Sequence, residues 1–135
     1  MRVLILVLIS FTIFSCSDPE LHSMQQISAG AQLYKTHCAN CHQEDGSGLA
    51  KLIPPLKNSD YFTHSANDLP CIIVNGKKGK MRVNNEEYTL QMPAALGLSK
   101  ADIANICIYV LQKFPAKPIA IADSTVLNQL NSCTN

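Results

Sequence analysis

Cys38, Cys41 and His42 stand at i, i+3 and i+4, so on a helical turn two thiols and one imidazole share a face. That arrangement suits one chemistry in particular. The thiols can add to the two vinyl groups of a haem while the imidazole reaches the iron from beneath, and the run Cys38-Ala39-Asn40-Cys41-His42 matches C-x-x-C-H, the attachment sequence for c-type haem. A structural zinc site would want four ligands, commonly with a second close pair, and Cys71, Cys107 and Cys133 have no such pairing. A thioredoxin-like redox motif would follow a strand in an α/β pattern, which the flanks lack. A plain disulfide between Cys38 and Cys41 leaves His42 without a role. One covalently attached haem c is the cofactor these residues predict.

The second iron ligand is sought among the methionines. Met81 and Met92 lie in the body of the chain, whereas Met1 is removed and Met24 sits in a polar leading stretch. Met92 is followed by Pro93, whose fixed φ and missing N–H keep the chain extended, so its thioether can be presented from a stiff loop. Met81, in Lys80-Met81-Arg82-Val83, reads as a strand or packing residue. His22, His37 and His64 are lone histidines in polar stretches and read as solvated surface groups.

The chain has 135 residues and a formal net charge of +1, the size of one domain with no basic field to hold a phosphate backbone. Nucleic acid is not an expected partner. Residues 3–14 form an apolar run behind Arg2, the form of an export signal, and twelve helical residues span only about 18 Å, too short for the bilayer core. Ile13-Phe14-Ser15-Cys16 resembles a bacterial lipobox, which places a signal peptide at 1–15 and a lipid on Cys16. Its removal takes away Arg2 and no acid, leaving a formally neutral protein. Residues 16–26 show no apolar period and read as a flexible, lipid-linked tether. The expected location is the periplasm or cell envelope, anchored to a membrane by that lipid.

From about Ile27 to Phe114 the sequence resembles a class I monohaem cytochrome c domain, of bacterial lipoprotein type. The matching features are Cys38-Ala39-Asn40-Cys41-His42, Gly46-Ser47-Gly48, Pro54-Pro55-Leu56, Asn75-Gly76, Met92-Pro93-Ala94 and a closing helix with Tyr109. The resemblance implies an all-α class: a small class I cytochrome c fold of three to five helices around one covalent haem, with a short β-hairpin before the distal methionine loop. It implies that His42 is the proximal ligand and Met92 the distal one. It also implies that the carbonyl of Pro54, or alternatively Pro55, accepts the other imidazole N–H of His42, and that the first and last helices cross near Gly30 and Tyr109.

The positioning elements are legible in part. Ser28 can cap a first helix through Gly30 and Tyr34 into the haem motif. Ser99 with Asp102 reads as the start of the last helix, whose apolar stripe is Ile103, Ile106, Cys107, Val110, Leu111 and Phe114, with Pro115 as its stop. Residues 67–76 suggest a short helix ended by Gly76, and residues 79–88 a hairpin turning at Asn84–Asn85. Beside the methionine loop, Tyr88 or Asn84 could bond a haem propionate. Gly46-Ser47-Gly48 reads as the turn after the haem motif. Lys77, Lys78, Lys80 and Arg82 either steer an acidic partner or form a solvated loop partly neutralised by Glu86 and Glu87. Cys71 and Cys107 are expected to pair, stapling the middle helix to the last; otherwise Cys107 is a small buried residue of its stripe. Residues 115–135 form an extension the resemblance does not cover, with one or two helical turns expected within 123–130.

A haem held between His and Met has no open iron position, which suits electron transfer rather than oxygen chemistry. The expected function is electron carriage, not catalysis, between membrane-associated redox proteins, with no small-molecule substrate. An accessory cytochrome subunit docked permanently to an oxidase or dehydrogenase is the alternative. A haem peroxidase or gas sensor would need an absent or displaceable distal ligand, and Met92 argues against it.

Overall fold

Asp18 and Pro19 begin a helix that the polar composition of the next residues conceals. The Asp18 carboxylate accepts from the Glu20 N–H at 3.0 Å, and a proline at the first helical position gives up an N–H that would be unpaired anyway. Helix α1 then runs unbroken over Pro19–His37. The structure is a computed structural model and describes residues 18–133. The expected signal peptide 1–15 and the expected lipidation site Cys16 fall outside the described residues.

Two expectations change here. Residues 19–26 are helical rather than part of a flexible tether, and Ser28 lies inside α1, nearly three turns into a helix that Asp18 caps. No apolar period announced this start, because the first two turns leave Leu21 and Met24 exposed.

After Cys38 the chain turns at once into α2 (Ala39–His42). A long loop leads to α3 (Tyr61–Ser65), a 3₁₀ turn (Ala66–Asp68) and α4 (Leu69–Asn75), which Gly76 ends at φ 73°. Strands β1 (Met81–Val83) and β2 (Glu86–Tyr88) pair antiparallel, with Met81 opposite Tyr88. Their turn is Asn84–Asn85 as expected, with φ of 50° and 66°, the two positive values a two-residue hairpin turn requires. Helix α5 (Lys100–Lys113) starts with a reciprocal cap between Ser99 and Asp102, and α6 (Asp123–Ser132) follows in the extension.

The core lies where α1 crosses α5. A Cβ on Gly30 would stand 2.1 Å from the Asn105 carbonyl oxygen, so only glycine lets the two backbones approach this closely. Tyr34, Tyr109 and Phe114 stack around the crossing with ring centroids 5.0 to 5.7 Å apart, and the Tyr34 hydroxyl donates to the Gln43 carbonyl at 2.7 Å. Helix α6 completes the core by burying Val126 and Leu130.

The expected Cys71–Cys107 disulfide is corrected. Cys71 is bonded to Cys133, with Cα atoms 5.3 Å apart, while Cys107 is a free thiol with no exposed surface. Cys107 belongs to the apolar stripe of α5 and faces the core; Cys71 faces the end of α6, whose position the local sequence does not specify.

Candidate haem site

The residues singled out by chemistry converge on one cleft. Cys38, Cys41, His42, Pro54 and Met92 all line it, together with Leu52, Phe62, Ile73, Val110 and other apolar side chains. The cleft is open in part to solvent and almost wholly apolar in its lining, as small-molecule and cofactor sites usually are.

One face is built by the turn after α1. The N–H groups of Cys41 and His42 both donate to the Cys38 carbonyl, at 3.1 and 2.9 Å, which winds the three motif residues into a single turn. Gly46 and Gly48, with φ of 74° and 69°, reverse the chain, and the Gly48 N–H returns to the His42 carbonyl at 3.0 Å. This is the turn Gly46-Ser47-Gly48 suggested.

The reversal brings Pro54 beneath the imidazole. His42 Nδ1 lies 3.2 Å from the Pro54 carbonyl oxygen, and because a carbonyl only accepts, Nδ1 carries the proton. Burial lowers the His42 pKa, with the Pro54 hydrogen bond opposing it. The neutral ring therefore keeps its lone pair on Nε2, the form that can ligate a metal, with its orientation fixed from behind. Cys38 and Cys41 are free thiols. Burial, then the neighbouring Cys41, push the Cys38 thiol up to about 11.

The opposite face comes from α4, the hairpin and the segment after it. Lys77 and Met92 form a two-bond bridge, at 2.9 and 3.0 Å, which holds Met92 in extended backbone at the cleft. Met81 also lines the cleft, from β1. Tyr88 is buried there, whereas Asn84 is engaged elsewhere. Its Oδ1 accepts from the Asp60 N–H at 3.0 Å and its N–H donates to Asp60 Oδ1 at 2.8 Å.

That clasp, and the site residues Ser59, Tyr61 and Phe62 beside it, were not anticipated. The Asp60–Asn84 pair spans 24 residues, and no local pattern signals such a contact. The basic cluster is partly neutralised: Lys80 pairs with Glu87 at 2.9 Å, while Glu86 turns to Lys51 at 3.2 Å.

Two thiols, a neutral imidazole with a free nitrogen and a thioether around an apolar cleft fit a flat apolar cofactor carrying an iron. Comparison with known proteins agrees. The sequence model of one family, cytochrome c, matches residues 27–113. The cytochrome c subunits of the quinone alcohol dehydrogenases of Gluconacetobacter polyoxogenes and Komagataeibacter europaeus are each 31% identical over 104 residues, 73% of this chain. The chain spans only 22% of the length of those subunits. Cytochrome c-554(548) of Halomonas halodenitrificans is 38% identical over 72 residues, 53% of this chain and 78% of that protein.

Proposed function

The chain belongs to the cytochrome c family, so its cofactor is haem c and its work is electron transfer; from that premise we propose how its residues carry the cofactor and whom it serves. Cys38 and Cys41 would hold the haem through two thioethers, and His42 Nε2 and Met92 Sδ would ligate its iron. Bound in this way, haem c supplies one-electron Fe(III)/Fe(II) chemistry. The observation that carries the assignment is that all four side chains line the same cleft.

The protein's own contribution is to hold rather than to react. The Pro54 carbonyl fixes the His42 tautomer and ring direction. The Lys77 bridge keeps Met92 in place, and the apolar walls would keep water from a bound iron. With His42 and Met92 both ligating the iron, no ligand position would be left open for a substrate, which favours a carrier over an enzyme. Cys16, lipid-linked, would confine it to a membrane surface in the cell envelope and raise its effective concentration toward membrane-bound redox partners. Among the described residues no helix is long and apolar enough to cross a membrane.

A second reading is favoured by one observation, the similarity to a subunit of a quinone alcohol dehydrogenase. In it the protein is a docked cytochrome subunit of a dehydrogenase or oxidase. Gentle solubilisation separates the two readings, since a lone monomer supports the carrier and a stable complex the subunit.

The site is tested by absorption spectra of the exported, haem-loaded protein, oxidised, reduced, and reduced under carbon monoxide. A c-type spectrum with a methionine-to-iron(III) charge-transfer band and no carbon monoxide shift is expected. A prompt shift would sink the closed site and favour a sensor or peroxidase.

A further inference from the structure

We infer that the Cys71–Cys133 disulfide is a positioning device for Met92, setting how readily that thioether leaves the cleft; the inference rests on the reading of Met92 as an iron ligand. The backbone around Met92 is held by the far end of α4. Lys77 exchanges both backbone hydrogen bonds with Met92, and the Ala95 N–H donates to the Ile73 carbonyl at 2.9 Å. Between these contacts Gly76 lies so close that a Cβ there would stand 2.4 Å from the Met92 carbonyl oxygen. The segment has no slack of its own, so displacing Met92 requires displacing the end of α4.

Helix α4 cannot hold itself in place. It has seven residues, well below the length at which an isolated helix persists in water. One side of it, through Leu69, Ile72 and Ile73, forms cleft wall. On the other side Cys71 is bonded to Cys133 at the end of α6. Helix α6 is itself anchored, by Val126 and Leu130 in the core and by hydrogen bonds from Lys100 to Asn131 and from Gln26 to Asp123. The disulfide thus ties a short cleft-lining helix to an anchored one, five residues before the glycine that abuts Met92. Without it α4 keeps its packing and its hydrogen bond to Ala95 but loses its covalent tie to α6, and local opening of the Met92 segment becomes easier.

The test uses the haem-loaded full chain, with the ferric charge-transfer band and the rate of imidazole binding to ferric iron as readouts. Relative to the parent, Cys71→Ser/Cys133→Ser is expected to weaken the band and speed imidazole binding by about tenfold, as local opening becomes more populated. Gly30→Ala, which strains the α1–α5 crossing and leaves both the disulfide and the α6 anchor intact, is expected to stay within about twofold of the parent. Should the double variant not accumulate, Cys133→Ser carries the same comparison. An unchanged band and rate without the disulfide would overturn the positioning role and leave the Met92 reading standing, and so would equal acceleration by Gly30→Ala. If Met92→Ala keeps the parent's band, the ligand reading falls and this inference with it.

Discussion

Gly30 of α1 lies directly under the α5 backbone: a Cβ there would stand 2.1 Å from the Asn105 carbonyl oxygen and 2.7 Å from Tyr109 Cβ. Neither atom can rotate away, so relief requires the helices to separate. Gly30→Ala is expected to destabilise the protein by about 3 kcal/mol, the upper part of the range for overpacking, and to disturb the Tyr34–Tyr109 contact. Denaturant unfolding measures this, and a variant within about 0.5 kcal/mol of the parent would show that the crossing can open without cost.

The start of α5 makes stability depend on acid. Hydrogen bonds from the Ser99 side chain and then its backbone N–H hold the Asp102 carboxyl below its ordinary pKa. A carboxylate whose pKa is lowered on folding stabilises the fold above its unfolded pKa, and loses that contribution as pH falls through the folded value. Melting temperature should therefore fall between about pH 5 and 2, and Asp102→Asn should flatten the lower part of that decline. Ser99→Ala, which removes the cap itself, is expected to cost about 1 kcal/mol at neutral pH. An Asp102→Asn profile that parallels the parent's would contradict the assignment.

What could be read in the sequence divides along the range of the contacts involved. The haem motif, the Ser99 cap, the stripe of α5 and the Asn84–Asn85 turn are local, and each is found where its own residues predict. The Met92 loop followed from a proline and a family likeness. The partner of Cys71 did not, because pairing depends on where α6 lies, and α6 is placed by Val126 and Leu130 entering a core assembled from distant segments. The early start of α1 did carry a signal, Asp18-Pro19-Glu20, but its polar residues matched a tether equally well. The Asp60–Asn84 clasp carried none, since both residues are ordinary turn formers.

The corrected cysteine pairing predicts a specific labelling pattern. With Cys38 and Cys41 consumed by haem, as proposed, and Cys71 bonded to Cys133, the remaining described thiol is Cys107. It has no exposed surface, and burial holds it well above the usual thiol range. Alkylation requires the thiolate, so the native protein should not react at Cys107 near neutral pH. Unfolding without a reductant should then label Cys107 and neither Cys71 nor Cys133. Peptide mass mapping reads this, and label on Cys133 in place of Cys107 would restore the pairing that the structure replaces.

Two methionines line the cleft, and the structure distinguishes them by what holds them. Met92 sits in extended backbone bridged to Lys77 on both sides of the residue, so its side chain is carried by a fixed segment. Met81 is the first residue of a three-residue strand, opposite Tyr88, in a hairpin tied down by the Asp60–Asn84 clasp and the Lys51–Glu86 pair. Its thioether is better suited to fill the wall of the cleft. Met92→Ala should therefore abolish the methionine-to-iron(III) charge-transfer band and let carbon monoxide bind the reduced protein promptly. Met81→Ala should keep the band and lower stability by roughly 2 kcal/mol, the low end for truncating a buried methionine, since Met81 is only partly buried. If the two variants exchange these outcomes, the iron ligand is on β1 and the bridge to Lys77 serves the fold alone.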